Sequence, residues 1–106
     1  MVRWLITSLM LLLVPPQVWA QTSRLDTIIT AGKLRVGIPG DYRPLALRDP
    51  TSGKVEGFDI DMADSLAASL GVKVDLVQTK WADLLADLNA DKFDIGMGGI
   101  SITLAR

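Results

Sequence analysis

The chain has 106 residues, and its 11 lysines and arginines against 12 acidic residues give a formal net charge of −1. It contains neither cysteine nor histidine, which excludes a disulfide, a cysteine nucleophile, a histidine base and a Cys/His zinc site within these residues. The near-neutral charge gives no basic footprint for a nucleic acid. The length predicts one domain at most, or a piece of one.

The first 20 residues have the layout of a secretory signal peptide. Arg3 supplies a positive charge, residues 4–14 form an apolar run, and Val18-Trp19-Ala20 offers a cleavage site. A membrane anchor is the alternative, but the run is shorter than the roughly 20 residues that span a bilayer. We therefore expect residues 1–20 to be cleaved and residues 21–106 to reach the periplasm, without a stable membrane span.

The exported part opens with a helix and a strand. Ser23 is placed to cap a short helix, and Gly32 is placed to end it. Residues 33–38 are predicted as a strand, which Pro39-Gly40 ends, and residues 41–44 are predicted as a loop.

A hairpin and a second helix follow. Residues 45–47 and 55–57 flank a turn-rich segment, 49–53, which favours a hairpin. Residues 60–70 are predicted as a helix, with Asp59 as its N-cap. The expected apolar stripe of this helix is Phe58, Met62, Leu66 and Leu70.

The remaining elements repeat this alternation. We expect a strand over 72–78, an amphipathic helix from Trp81 to about residue 90, and a strand over 93–97. A flexible break at Gly98-Gly99 then leads into a further element over 100–106. Strands that alternate with helices predict an α/β fold with a parallel sheet, in which ligands bind at the carboxyl ends of the strands.

Three segments follow strand ends and are expected to converge on one cleft. They are residues 39–44, 79–81 and 98–106. Tyr42 and Trp81 offer aromatic faces there, although Trp81 also fits the apolar core of its helix and Tyr42 a structural role.

The last of these segments offers polar groups to a ligand. Gly98 and Gly99 supply exposed backbone N–H groups, Ser101 and Thr103 supply hydroxyls, and a helix beginning near Thr103 would favour an anion. Arg106 can pair with a carboxylate, or it is simply a solvated arginine.

The clustered aspartates have an ordinary interpretation. Asp59, Asp61 and Asp64 could suggest a metal, but they fit a helix start better. We therefore expect no metal and no cofactor. Asp83 and Asp87 are interpreted as a solvated face, and Asp94 either caps a strand loop or anchors a hinge.

Several motifs in order resemble the first lobe of family 3 periplasmic solute-binding proteins, the amino-acid receptors of ABC transporters. These are Gly57-Phe58-Asp59-Ile60-Asp61, Trp81 with Leu84, and Phe93-Asp94-Ile95 running into Gly99-Ile100-Ser101-Ile102-Thr103 and Arg106. Within the family, Gly40-Asp41-Tyr42-Arg43-Pro44 looks most like periplasmic cyclohexadienyl dehydratases, which share the binding-protein fold.

The resemblance implies a site. Tyr42 and Trp81 match aromatic ligand contacts of the family, Ser101 and Thr103 match a Ser/Thr-rich turn, and Arg106 matches the arginine that holds a ligand carboxylate. With Gly99, these are the expected ligand-binding residues. Gly98 and Gly99 stand where amino-acid binders often carry serine.

The resemblance also implies a fold and a function. The fold would be the first lobe of a periplasmic-binding-protein type II fold, incomplete here, because family chains are more than twice as long; we therefore expect a fragment. The function would be binding of a small amino-acid-like or carboxylate-bearing solute, with an ABC transporter permease as partner. The alternatives are a prephenate or arogenate dehydratase, whose catalytic acid would lie beyond these residues, and a sensory input lobe of a membrane receptor.

Overall fold

The computed structural model describes residues 23–101 and 103–105. The predicted signal peptide and Arg106 lie outside the described residues. The elements, in chain order, are α1 (Arg24–Ala31), β1 (Lys33–Ile38), β2 (Asp41–Tyr42), β3 (Ala46–Arg48), β4 (Val55–Glu56), α2 (Phe58–Leu70), β5 (Lys73–Gln78), α3 (Leu84–Asn89) and β6 (Ile95–Gly96).

Both ends of α1 follow the sequence rules. The hydroxyl of Ser23 accepts a hydrogen bond from the Asp26 backbone N–H at 3.1 Å, which satisfies one of the free donors of the first turn. At the other end Gly32 adopts a left-handed conformation with φ of 71°, which a residue without Cβ adopts without strain. The predicted helix and its two caps are confirmed.

A parallel sheet in the order β5-β1-β6 forms the centre of the fold. Its central strand β1 buries Leu34, Val36 and Ile38 almost completely. Gly37 permits close packing in this sheet, because a Cβ atom there would lie 2.5 Å from Cδ1 of the buried Phe93. The prediction of a parallel sheet with helices packed on it is therefore confirmed.

Helix α2 packs on the sheet through a different face from the one predicted. Its buried residues are Ile60, Ala63 and Ala67, small enough in two cases to bring the helix close to the strands. Phe58, Met62 and Leu66 are instead exposed, and of the predicted stripe only Leu70 packs against the core, so the predicted face was wrong. Residue size explains the error, because close helix packing here is achieved by alanines rather than by the longest apolar side chains.

A second, antiparallel sheet in the order β2-β3-β4 lies beside the first. The predicted hairpin is confirmed as β3 and β4, and Asp49 Oδ1 accepts the Thr51 N–H at 2.7 Å in its turn. Residues 41–44 were expected to be a loop, but Asp41 and Tyr42 pair with Leu47 and Ala46 as β2. Two residues of strand have too little periodicity to be recognised in a sequence.

The C-terminal elements are shorter than predicted. Helix α3 begins at Leu84 rather than at Trp81, which lies in the preceding turn, and β6 covers only two of the five residues expected. The helix expected near Thr103 is absent from the described residues, where Leu104 and Ala105 form a turn. Among the described residues, no helix is both long and apolar enough to cross a membrane.

Four charged residues connect α1, β1 and the start of β6 at the amino end of the parallel sheet. Asp94 Oδ1 accepts hydrogen bonds from Arg24 Nη1 at 3.1 Å and Arg35 Nη2 at 3.0 Å, while its Oδ2 accepts the Arg35 backbone N–H at 2.9 Å. Asp91 pairs with the same two arginines. We call Arg24, Arg35, Asp91 and Asp94 the amino-end cluster. Whether Asp94 caps a strand loop or anchors a hinge stays a prediction.

Candidate functional site

The carboxyl edge of the parallel sheet is where the three predicted site segments meet. Backbone hydrogen bonds hold each segment to β1 or its continuation: the N–H of Thr79 donates to Ile38 at 3.2 Å, that of Met97 to Gly37 at 3.0 Å, and that of Arg48 to Gly40 at 2.8 Å. The order β5-β1-β6 places the three following segments next to one another, because parallel strands end at the same edge.

Tyr42 stands on this edge with its ring accessible. About half of the residue, 51%, is exposed. A Cβ atom at Gly99 would lie only 3.1 Å from Tyr42 Cγ, so the backbone of the segment after β6 runs directly against the ring. One face of Tyr42 is thus supported by backbone, and an exposed aromatic surface remains for contact with a planar or apolar group.

Trp81 is tied to the same strand as Tyr42. Its indole Nε1 donates to Asp41 Oδ1 at 2.7 Å, which fixes the orientation of a side chain that is only half-buried. The sequence left Trp81 between a core and a ligand role. This hydrogen bond brings the indole next to β2, one residue from Tyr42.

The turn that carries Trp81 has its own support. Thr79 is buried, and its hydroxyl donates to Asp87 Oδ2 at 2.7 Å, while Lys92 donates to the other carboxylate oxygen at 2.9 Å. Hydrogen bonds from Lys92 and Thr79 hold the pKa of Asp87 below its usual range. Asp87 was expected on a solvated face, but its side chain is only 15% exposed. From α3 it connects the residue that follows β5 with the turn that precedes β6.

The backbone N–H groups of Gly98 and Gly99, expected to be open to a ligand, already have an acceptor. Asp59 Oδ2 accepts from Gly98 at 2.8 Å and from Gly99 at 3.2 Å. We call Gly98 and Gly99 the glycine turn. Their φ angles are 109° and 97°, a region that residues other than glycine rarely adopt. Asp59 was predicted to be an N-cap, but Gly57 holds that position, so the Asp59 side chain is free to reach the turn.

Three further predicted site residues follow the glycine turn in the sequence. Ser101 and Thr103 are exposed just beyond the glycine turn, while Arg106 lies outside the described residues. The structure therefore places Gly99 against Tyr42, and it places Trp81 on Asp41, the residue before Tyr42. Their contact with a ligand stays a prediction. Within the described residues, no group of three or more acidic side chains is arranged to hold a metal ion.

Sequence reasoning missed two carboxylates that organise this edge, Asp41 and Asp59. Asp41 was passed over as part of a loop, and its position directly before the predicted aromatic contact was the available signal. Asp59 was noticed, but its spacing to a helix start suggested a cap. Both acids act on residues about 40 positions away in the sequence, and a single sequence does not reveal such long-range pairs.

Comparison with known proteins identifies the relatives of this chain. A model of the bacterial extracellular solute-binding proteins, family 3, matches residues 34–106. The cyclohexadienyl dehydratase of Pseudomonas aeruginosa is 50% identical over 95 residues, covering 90% of this chain and 35% of the relative. This chain thus spans about a third of the length of that relative.

Solved structures share the fold. An ancestral cyclohexadienyl dehydratase is 58% identical, with a TM-score of 0.75 over 80% of this chain and 35% of the other. The arginine-bound form of domain 1 from TmArgBP is 34% identical, with a TM-score of 0.71 over 76% of this chain and 64% of that domain. The expected α/β fold, the first lobe of the periplasmic-binding-protein type II architecture in part, is confirmed. The chain belongs to the bacterial extracellular solute-binding proteins of family 3.

Proposed function

We propose that this chain contributes one wall of a periplasmic site for a small amino-acid-like or carboxylate-bearing solute, which an ABC transporter permease then receives. The observation that carries the proposal is the half-exposed ring of Tyr42 at the carboxyl edge of the sheet, with the backbone of Gly99 against it. Trp81 is hydrogen-bonded to Asp41, the preceding residue of the same strand. Accessible aromatic surface at the carboxyl ends of parallel strands is suited to contact with a small ligand. The arginine-bound domain 1 of a relative supports ligand binding by a single lobe.

Each site residue has a chemical role in this proposal. Tyr42 and Trp81 contact the apolar body of the solute, and the hydroxyls of Ser101 and Thr103 hydrogen-bond to it. Arg106 pairs with its carboxylate in a bidentate manner. Gly99 contributes close backbone approach rather than a donor, because its N–H group is engaged by Asp59.

Calorimetric titration of the purified chain tests the proposal, with L-arginine, L-glutamine, L-cystine and prephenate as probes. At least one probe should bind, and Tyr42→Ala and Arg106→Ala should each weaken its binding at least tenfold, since a tenfold loss corresponds to about 1.4 kcal/mol. Leu25→Ala is the matched control, because Leu25 is also exposed but lies on α1. Binding unchanged by the first two substitutions would reject the assigned roles.

A second function has a specific observation in its favour. The 50% and 58% identities to cyclohexadienyl dehydratases exceed the 48% identity to an ancestral amino-acid-binding protein and the 34% identity to the arginine-bound domain. In this alternative the same edge holds the substrate carboxylate, while a general acid from outside these residues protonates the departing hydroxyl of prephenate. Prephenate would lose water and carbon dioxide to give phenylpyruvate.

A protein of the relatives' full length that carries this lobe is the proper subject of that assay. Formation of phenylpyruvate from prephenate would establish the dehydratase, and Arg106→Ala should then reduce kcat/KM. Tight binding of an amino acid without turnover of prephenate would support the binding protein and reject the enzyme. The two outcomes separate the enzyme from the binding protein directly.

A further inference from the structure

The start of α2 connects two segments of the candidate site. Its first N–H groups donate to the chain between β2 and β3, from Phe58 to Pro44 at 3.0 Å and from Asp59 to Leu45 at 2.9 Å. The Asp59 carboxylate reaches in the other direction and accepts both N–H groups of the glycine turn. One short piece of helix therefore sets the relative position of the segment after β2 and the segment after β6.

The glycine turn needs such a partner. The N–H groups of Gly98 and Gly99 converge on one oxygen of Asp59, and converging backbone N–H groups in a turn form an anion-binding concavity. Gly98 is buried, so leaving its N–H group without water or a protein acceptor would destabilise the folded chain. A carboxylate oxygen at the common point satisfies both donors and stabilises a conformation that other residues would adopt only with strain.

Holding the turn also places the Tyr42 ring. The backbone of Gly99 lies against Tyr42 and Leu45, as the 3.1 and 3.3 Å approaches of a Cβ atom at Gly99 show. Any rotation of the turn would move this backbone into the ring or away from it. The position of the exposed face of Tyr42 therefore depends on its contact with Gly99. Asp59 influences that position only through the glycine turn.

We propose that Asp59 is a positioning residue of the ligand site, which fixes the glycine turn and, through Gly99, the ring of Tyr42. The same carboxylate occupies the anion-binding point of the turn, so a ligand carboxylate must bind elsewhere at the edge. The part concerning ligands rests on the proposed function, whereas the part concerning the turn stands without it.

Amide hydrogen exchange in the purified chain labelled with 15N-glycine tests the first part. Asp59→Ala should speed exchange at Gly98 and Gly99 at least tenfold. Asp59→Asn, whose side-chain oxygen can still accept both hydrogen bonds, should retain most of the protection. Asp61→Ala is the matched control, because Asp61 is an exposed acid of the same first turn and has the same favourable interaction with the helix dipole.

If Asp59→Ala does not fold, Asp59→Glu replaces it in the comparison. Glutamate keeps the negative charge but moves the carboxylate by one methylene, so the glycine turn should lose protection. Asparagine loses the charge but keeps the geometry, so protection should persist. Unchanged exchange at Gly98 and Gly99 in the alanine or glutamate variant would overturn the proposal, whatever the ligand.

Affinity for the tightest-binding of the four probes tests the second part. If Asp59→Ala reduces the population of the competent turn to a tenth or less, the apparent Kd rises at least tenfold. Asp59→Asn should change it less than threefold, and Asp61→Ala should leave it unchanged. Lost protection with unchanged affinity would overturn the positioning role. Lost protection in a chain whose native form binds no probe would support the role in the turn while rejecting the proposed function.

Discussion

Removal of the Asp94 carboxylate from the amino-end cluster should destabilise the chain in two separable steps. The Asp94 side chain is only 3% exposed, and its two oxygens serve different donors. Oδ2 accepts the backbone N–H of Arg35, and Oδ1 accepts the guanidinium groups of Arg35 and Arg24. Asparagine retains an acceptor for the backbone donor, whereas alanine removes both.

The magnitudes follow from these partners. A hydrogen bond to a charged group contributes about 1.5–3 kcal/mol, and a buried donor left without an acceptor costs about 1–3 kcal/mol. The bond from Arg24 is not counted, because its guanidinium side chain is 48% exposed and water can replace the partner. We therefore expect Asp94→Asn to cost about 2 kcal/mol and Asp94→Ala about 3–4 kcal/mol of unfolding free energy.

Thermal unfolding followed by circular dichroism measures both steps. For a domain of this size each kcal/mol lowers Tm by about 4–8 °C. Asp75→Asn is the control, because Asp75 faces Lys33 at 4.0 Å with both side chains about half exposed, and such pairs contribute about 0–1 kcal/mol. Equal Tm values for Asp94→Ala and Asp75→Asn would refute the reasoning that burial makes Asp94 the stronger anchor.

Further outcomes follow from single positions. Gly57→Ala should prevent stable folding, measured as loss of the cooperative transition, because φ is 144° and the new Cβ would collide with the carbonyl oxygen of Leu45; a normal Tm would show that the helix start can shift. Gly37→Ala should lower Tm by displacing the Phe93 ring, and an unchanged Tm would contradict the tight packing. Burial would raise the pKa of Asp94, but hydrogen bonds from Arg35 and Arg24 outweigh it and lower that pKa. The stability that Asp94 contributes should therefore be present above about pH 4 and lost as pH falls through the lowered pKa. Measured as Tm against pH, the native chain should lose stability more steeply than Asp94→Asn. Equal slopes for the two chains would be inconsistent with this linkage.

Local chemistry made much of the fold predictable. Ser23 and Gly32 fixed the ends of α1. The short strand patterns of β1 and β5, separated by helices, predicted the parallel sheet. The face of α2 was not predictable in the same way, because the apolar stripe was judged by side-chain size. The sheet instead selected Ala63 and Ala67, whose short side chains permit close approach.

The candidate site was also predictable only where neighbouring residues carried the signal. Tyr42 and Trp81 were identified from their positions after strands, a signal that depends only on neighbouring residues. The bonds that orient the edge join Asp41 to Trp81 and Asp59 to Gly98 and Gly99. Such pairs depend on the folded topology, so the sequence showed which side chains could meet a ligand but not what holds them.

The ion network around Asp94 and the glycine turn lie near opposite ends of β1. Arg35 and Ile38 are three residues apart, which in an extended strand is about 10 Å. Substitutions at that separation without shared partners usually have additive effects. A protein engineer could therefore alter the stability of this lobe at one end of β1 and vary the proposed ligand edge at the other, with little trade-off between the two.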